Sequence, residues 1–248
     1  MSDSIPKYVG PKPTDRVLTR DEVKARFDQE TAAAYSQQDP IYLPDYASAL
    51  ALVIEALCAA LPDEPTILDL GAGTGNLARR VLGAIPNSYV TLIDFSLNML
   101  SEAPDVLADF KGRYNTICED FFAFDMPPAT FDGIVSSFAI HHARGRAEYG
   151  RLYQRIRSWL KPGMVFACCD VVAGSNQQWT AMNEAGWQQH LRAAEFDDAT
   201  IAHIFANYRV EDTPISLPEH LTLLREAGFA HVDVLWKKHN FAVYCAQK

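Results

Sequence analysis

The chain has 248 residues, 48% of them hydrophobic, and a formal charge of −9 from 22 basic and 31 acidic side chains. That length covers one to two domains at the usual ratio of about 150 residues per domain, and the hydrophobic share excludes wholesale disorder. No basic run is longer than Arg79-Arg80 or Lys237-Lys238, so an extended phosphate-backbone footprint, and with it nucleic acid as a partner, is not expected.

No apolar run approaches the roughly 20 residues of a membrane span. The N-terminus has neither a basic stretch nor an apolar one after it, so no export signal or membrane attachment is expected. Five cysteines are an odd number without metal spacing, and the adjacent Cys168 and Cys169 read as buried thiols. These features point to a soluble protein of the reducing cytoplasm.

Residues 1–20 hold three prolines and little periodicity, and read as a loose arm. Residues 21–35 and 46–61 have helical spacing, with Asp45 as the expected N-cap of the second helix and Pro62 as its stop. Short apolar runs then alternate with helical segments. The predicted strands are 66–70, 88–93, 114–118, 131–137 and 164–169, with helices at 77–82, 96–107 and 146–160. This alternation predicts a doubly wound, mostly parallel α/β sheet covered by helices on both faces. Residues 171–215 are too long for an ordinary connection and read as a helical insertion. A helix at 218–227 and two strands, 232–237 and 241–246, close the chain as a hairpin. Residues 21–248 are expected to form a single α/β domain.

The strongest local signal is Leu68-Asp69-Leu70-Gly71-Ala72-Gly73-Thr74-Gly75, a strand entering a helix through a glycine turn. A dinucleotide fingerprint wants its third glycine one residue later. Asp69 would also face an incoming diphosphate, and suits an amine-bearing ligand better. Asp94 ends the second strand 19 residues beyond Gly75, where an acid accepts from ribose hydroxyls. Phe95 and Met99 are placed to wall an adenine. Asp120 ends the third strand and can accept from an adenine amino group, with Phe121 beside it. Three acids on one sheet edge point to a nucleoside-plus-amine ligand.

These motifs, with IDFS (93–96), ED (119–120), FDGIVSSFAIHH (131–142) and LKPG (160–163), resemble the class I S-adenosylmethionine-dependent methyltransferases. The resemblance runs from about residue 27 to the end. It implies a Rossmann-like fold with an antiparallel C-terminal edge, and S-adenosyl-L-methionine as cofactor. It also implies that Gly71 and Gly73 lie under the methionine part with Ala72 a further cofactor contact, that Asp69 meets its amino group through water, and that Asp94 and Asp120 hold ribose and adenine. The segments FDQETAAAY (27–35), LPDY (43–46) and LREAGFAHVDVLWKKHNFAV (223–243) look most like a branch related to carboxy-S-adenosylmethionine synthase. That likeness implies Tyr46 and Ser137 as further cofactor contacts. The branch's carboxylate-gripping arginine falls at Phe205 in the simplest register, with Arg209 the nearest arginine.

Methyl transfer asks mainly for placement, with a general base when the nucleophile is a hydroxyl. His141 and Asp170, both at strand ends, are the candidate proton acceptors, and Tyr35 is a third catalytic candidate. A metal is not expected, because the neighbours His141 and His142 should point apart and no thiolate is spaced to join them. Tyr42, Trp179 and Trp187 are candidates for a lid formed by the insertion. The same tryptophans could instead form a core seam or a homodimer interface. A small-molecule acceptor is expected. Two alternatives stay open: an enzyme that consumes the cofactor itself, by cyclisation to azetidine-2-carboxylate or by carboxy-S-adenosylmethionine formation, and a noncatalytic cofactor-binding protein.

Overall fold

The computed structural model describes residues 16–29 and 42–248. The elements in chain order are α1 (Arg20–Gln29), α2 (Tyr46–Cys58), β1 (Thr66–Leu70), α3 (Asn76–Ala84), β2 (Tyr89–Asp94), α4 (Leu97–Leu100), α5 (Ala103–Val106), β3 (Tyr114–Cys118), β4 (Phe131–Ser137), α6 (Arg146–Trp159), β5 (Leu160–Val171), α7 (Gln177–Ala193), α8 (Asp198–Glu211), α9 (Leu217–Glu226), β6 (His231–Lys238) and β7 (Phe241–Gln247). The strands form one seven-stranded sheet in the order β3-β2-β1-β4-β5-β7-β6. β1 to β5 run parallel, and β7 pairs antiparallel with both β5 and β6.

Strand periodicity builds the layers, because successive side chains point to opposite faces. On one face Ile67, Leu92, Val135 and Cys169 meet α2, α3 and the α7–α8 pair. On the other, Leu68, Leu70, Ile134 and Phe166 meet α6 and α9. The chain reverses strand order between β1 and β4, which opens a crevice at the carboxyl edge of the sheet. Among the described residues no helix is long and apolar enough to cross a membrane.

Four local expectations need correction. Asp45 does not cap α2: it adopts a left-handed conformation, makes no side-chain cap bond, and pairs with Lys238 at 2.8 Å. The single helix expected over 96–107 is split into α4 and α5, with Pro104 in the first turn of α5. Proline has no N–H to continue a helix but fits its first turn. β5 starts at Leu160, so Lys161-Pro162-Gly163 lies inside a strand rather than in a turn. The chain end holds this stretch: Gly163 N–H donates to Lys248 O at 3.1 Å, and Lys161 Nζ reaches Asp132 at 2.8 Å. Part of the expected arm is also packed, since Leu18 is buried against Val23 and Val210, while residues 1–15 lie outside the described residues.

Candidate functional site

The glycine turn after β1 folds back on β2. Gly71 and Ala72 N–H donate to Ile93 O at 2.9 and 3.1 Å. Gly71 (φ +67°) is required by packing, because a Cβ there would stand 2.2 Å from the Ala139 Cβ. Gly73 (φ +55°) is different: a Cβ there would meet nothing nearer than Met99 Cε at 3.8 Å. The space over Gly73 is open, and only the backbone conformation demands glycine.

Asp94 closes β2 beneath this space. One carboxylate oxygen accepts from Gly73 N–H and the other from Ser96 N–H, both at 2.9 Å. Each oxygen keeps a lone pair for a ligand hydroxyl. Burial raises the Asp94 pKa to about 6, against the lowering pull of those amides. Asp69 is fully buried, neither of its oxygens has a hydrogen-bond partner, and it does not line the cleft. Burial, helped by the charge of Asp94, lifts it to about 7, while the Ala78 amide at the start of α3 works the other way. It therefore lies behind the cleft wall, not in it.

The cleft holds about 830 Å³, counting the part open to solvent. It is lined by Tyr46, Gly71, Ala72, Gly73, Asp94, Phe95, Met99, Asp120, Phe121 and Ser137, which brings together the sequence-derived contacts other than Asp69. Tyr46 stacks on Phe138 at 6.0 Å, and Phe138 holds a left-handed backbone (φ 53°). Sequence reasoning missed Phe138, and no local signal marks it. It also missed the roof, which is α1. Arg20, Val23 and Phe27 line the cleft, and the Phe27 ring lies 5.8 Å from both Phe95 and His142. Arg20 pairs with Asp120 at 3.1 Å and with Glu148, and its guanidinium sits 4.2 Å over the Phe122 ring. A signal was available: the Glu22 carboxylate accepts from Thr19 N–H at 2.8 Å, the S/T-x-x-E pattern that opens helices.

The insertion does not supply that roof. Trp187 is buried against Phe205, Tyr208 and Phe241, and its Nε1–H donates to Tyr42 O at 2.9 Å. Trp179 is 48% exposed, and the Tyr42 ring packs on Phe196 at 5.3 Å. None of the three lines the cleft. Eight residues turn a helix by about 80° beyond two full turns, so the two tryptophans part company. Tyr35 lies outside the described residues.

The candidate bases form a buried cluster behind the cleft wall. His141 Nδ1 contacts Asp170 Oδ1 at 2.6 Å, and its backbone N–H donates to Asp170 Oδ2 at 3.0 Å. Its Nε2 lies 3.4 Å from Asp212 Oδ1. Burial alone would lower His141, but the charges of Asp212 and Asp170 outweigh it and raise the pKa to about 10. Neither His141 nor Asp170 lines the cleft, so the proton-acceptor role expected of them is not supported. His142 does line it, and burial followed by the charge of His141 pushes its pKa down to about 4. The two imidazoles do not point apart as expected: in a short 3₁₀ turn their ring centroids stand 4.2 Å apart, and both approach Asp212.

Arg144 completes the wall. Its Nη1 donates to Glu211 O at 2.9 Å and to Thr213 Oγ1 at 3.2 Å. Its Nε and Nη2 are buried without a partner, and burial lowers its pKa. Phe205, at the register of the carboxylate-gripping arginine, is a core residue, and Arg209 pairs with Glu184 at 3.0 Å on the surface.

Comparison with known proteins bears on this geometry. A family model described as "Methyltransferase domain" matches residues 67–163, the stretch from β1 into β5 that carries the glycine turn, Asp94 and Asp120. A carboxy-S-adenosyl-L-methionine synthase of Nautilia profundicola is 24% identical over 238 residues, covering 94% of this chain and 99% of the relative. Residues 67–163 are thus a methyltransferase domain. The enzyme has a second relative of the same description in Wolinella succinogenes, 27% identical over 237 residues, covering 93% of this chain and 97% of that one. Its fold also matches phosphoethanolamine N-methyltransferase 2 of Haemonchus contortus, solved with phosphomonomethylethanolamine and S-adenosylhomocysteine. The TM-score is 0.67 at 16% identity, covering 94% of this chain and 61% of that chain. The same protein has also been solved with S-adenosyl-L-methionine. The open space over Gly73 and the free lone pairs of Asp94 fit its methionine and ribose parts.

Proposed function

We propose that the enzyme transfers the methyl group of S-adenosylmethionine to a small acceptor that carries a carboxylate or similar oxyanion. Arg144 carries this reading. Arg144 is half-buried, and two of its nitrogens, shielded just behind the cleft lining, have no hydrogen-bond partner, a desolvated donor pair that favours an anion. Those groups form the planar fork that takes a carboxylate in two parallel hydrogen bonds. The cleft is concave, lined by the glycine turn, the acid edge and aromatic rings, and α1 roofs it, the form of a small-molecule site. In this reading Asp94 and Asp120 orient the donor, Tyr46 and Phe138 form an aromatic wall, and Arg144 sets the acceptor in line with the methyl group.

A second reading is that S-adenosylmethionine itself is the substrate. Its support is the near full-length match to relatives named carboxy-S-adenosyl-L-methionine synthase. Carboxylation is the weaker form of this reading, because the gripping position is the core residue Phe205. In cyclisation the amine nitrogen bonds to Cγ, the Cγ–S bond breaks, methylthioadenosine leaves and the amine loses a proton.

Mass spectrometry separates these readings. The enzyme is incubated with S-adenosylmethionine alone and then with a metabolite extract. S-adenosylhomocysteine that appears only with the extract, from a carboxylate acceptor, is the expected result. Arg144→Gln should then raise the acceptor KM while donor affinity holds. Methylthioadenosine from the cofactor alone would replace the first reading with the second, and neither product would leave only a binding role.

A further inference from the structure

We propose that His141, His142 and Asp212 form a site for one divalent first-row transition ion, of the zinc(II) or iron(II) class, in the wall of the cofactor cleft. The site joins two remote parts of the chain. His141 and His142 sit on the 3₁₀ turn that follows β4, and Asp212 follows the last residue of α8. One ligand atom from each lies within 4.8 Å of the other two.

The spacing is that of ligands around a shared centre. His141 Nε2 and His142 Nδ1 each stand 3.4 Å from Asp212 Oδ1. That is longer than an ordinary hydrogen bond, whose upper range is about 3.2 Å. Metal–ligand bonds of about 2.1 Å in a tetrahedron put neighbouring donor atoms about 3.4 Å apart. His142 Nδ1 is buried and has no hydrogen-bond partner, although its lone pair needs one.

The surroundings also suit a metal. His141 Nδ1 is engaged by Asp170 at 2.6 Å, so a ring that releases its Nε2 proton to an incoming ion keeps Nδ1–H on Asp170 and presents the Nε2 lone pair on the side of Asp212. A carboxylate behind a ligating imidazole is the usual way such a ring is oriented. Asp170 and Asp212 bring two negative charges into a buried place, which a dication balances. Arg144 is the nearby opposing cation; its Nη1 is tied to Glu211 O and Thr213 Oγ1, and Glu148 lies beside it. Two imidazoles with one carboxylate favour zinc, iron or cobalt over magnesium or calcium, which prefer all-oxygen sets. Only three protein ligands are present among the described residues, so coordination positions stay open. His142 is itself part of the cleft wall, which places the ion beside the reacting space.

The test uses the whole enzyme, stripped with a chelator and titrated with cobalt(II). Visible absorption reads the ligand field, and mass spectrometry of retained zinc reads stoichiometry. The expected result is one ion per chain with a low-symmetry cobalt spectrum. Asp212→Asn and His142→Gln should each abolish the spectrum, and Asp170→Asn should weaken affinity by about 10- to 100-fold, the usual cost of losing a carboxylate behind a ligand. Circular dichroism of each variant checks folding, and if one fails to fold the other two still read the same site. A protein that takes up no cobalt or zinc, or whose spectrum survives every folded variant, overturns the proposal. The cluster would then be an imidazolium held between two carboxylates.

Discussion

Gly71 and Gly73 have the same sign of φ and sit two residues apart, yet alanine should fail at them for different reasons. At Gly71 the new Cβ meets the Ala139 Cβ at 2.2 Å and Phe121 Cε1 at 3.2 Å. Left-handed backbone costs a non-glycine residue about 1 to 2 kcal/mol, and overpacking a fixed neighbour adds about 1 to 3 kcal/mol. Gly71→Ala should therefore destabilise by about 2 to 5 kcal/mol, a fall in Tm on the order of 10 °C for a chain of this size. At Gly73 the nearest atom is Met99 Cε at 3.8 Å, so only the backbone term of about 1 to 2 kcal/mol applies. The methyl group instead projects into the space assigned to the methionine part, and S-adenosylmethionine affinity should fall about tenfold or more, or 1.4 kcal/mol. Urea melts and titration calorimetry on the two variants measure both quantities. Equal loss of stability in the two, or a Gly73→Ala variant that binds the cofactor normally, would refute the reasoning.

Two further outcomes follow from burial. The folded-state pKa values of Asp69 and Asp94, about 7 and about 6, lie above the ordinary aspartate value of 3.8, so the folded chain holds protons that the unfolded chain has released. Their contribution to stability is present below about pH 4 and is lost as pH rises toward 7. Asp69→Asn should flatten that fall and raise stability at pH 7.5 by about 1 to 3 kcal/mol, as urea melts at pH 5 and pH 7.5 would read; an unchanged gap between the two pH values argues against it. Trp187→Ala should cost about 3 to 5 kcal/mol as a buried aromatic truncation, while the half-exposed Trp179→Ala should stay within about 0.5 kcal/mol. Comparable losses in the two variants would mean that the insertion packs differently.

Local rules carry through where local physics decides. Strand–helix alternation, the glycine turn and an acid after each of the first strands needed only backbone conformation and chain-order geometry, and Gly71, Gly73, Asp94 and Asp120 stand on the cleft accordingly. Asp69 stands off the cleft lining by the same period-2 rule that built the sheet, since its side chain shares the face of Ile67, toward α3. Asp45 looked like a cap, but Lys238, 193 residues away, took its carboxylate.

What the sequence by itself determined is the doubly wound sheet and the edge that carries the cleft, because both follow from periodicity and from where strands end. Only the tertiary structure decided which groups share that edge. It put α1 rather than the tryptophan insertion over the cleft, buried Trp187 in a seam, and left Arg144 with two unpaired N–H groups at the wall. It also turned His141 and His142 together toward Asp212, some 70 residues on, and backed His141 with Asp170. These are contacts between distant segments, and their geometry depends on how the packed layers set one loop against another. No spacing within a single stretch of chain encodes that, since hydrogen bonds and ion pairs form between whatever side chains the fold makes neighbours.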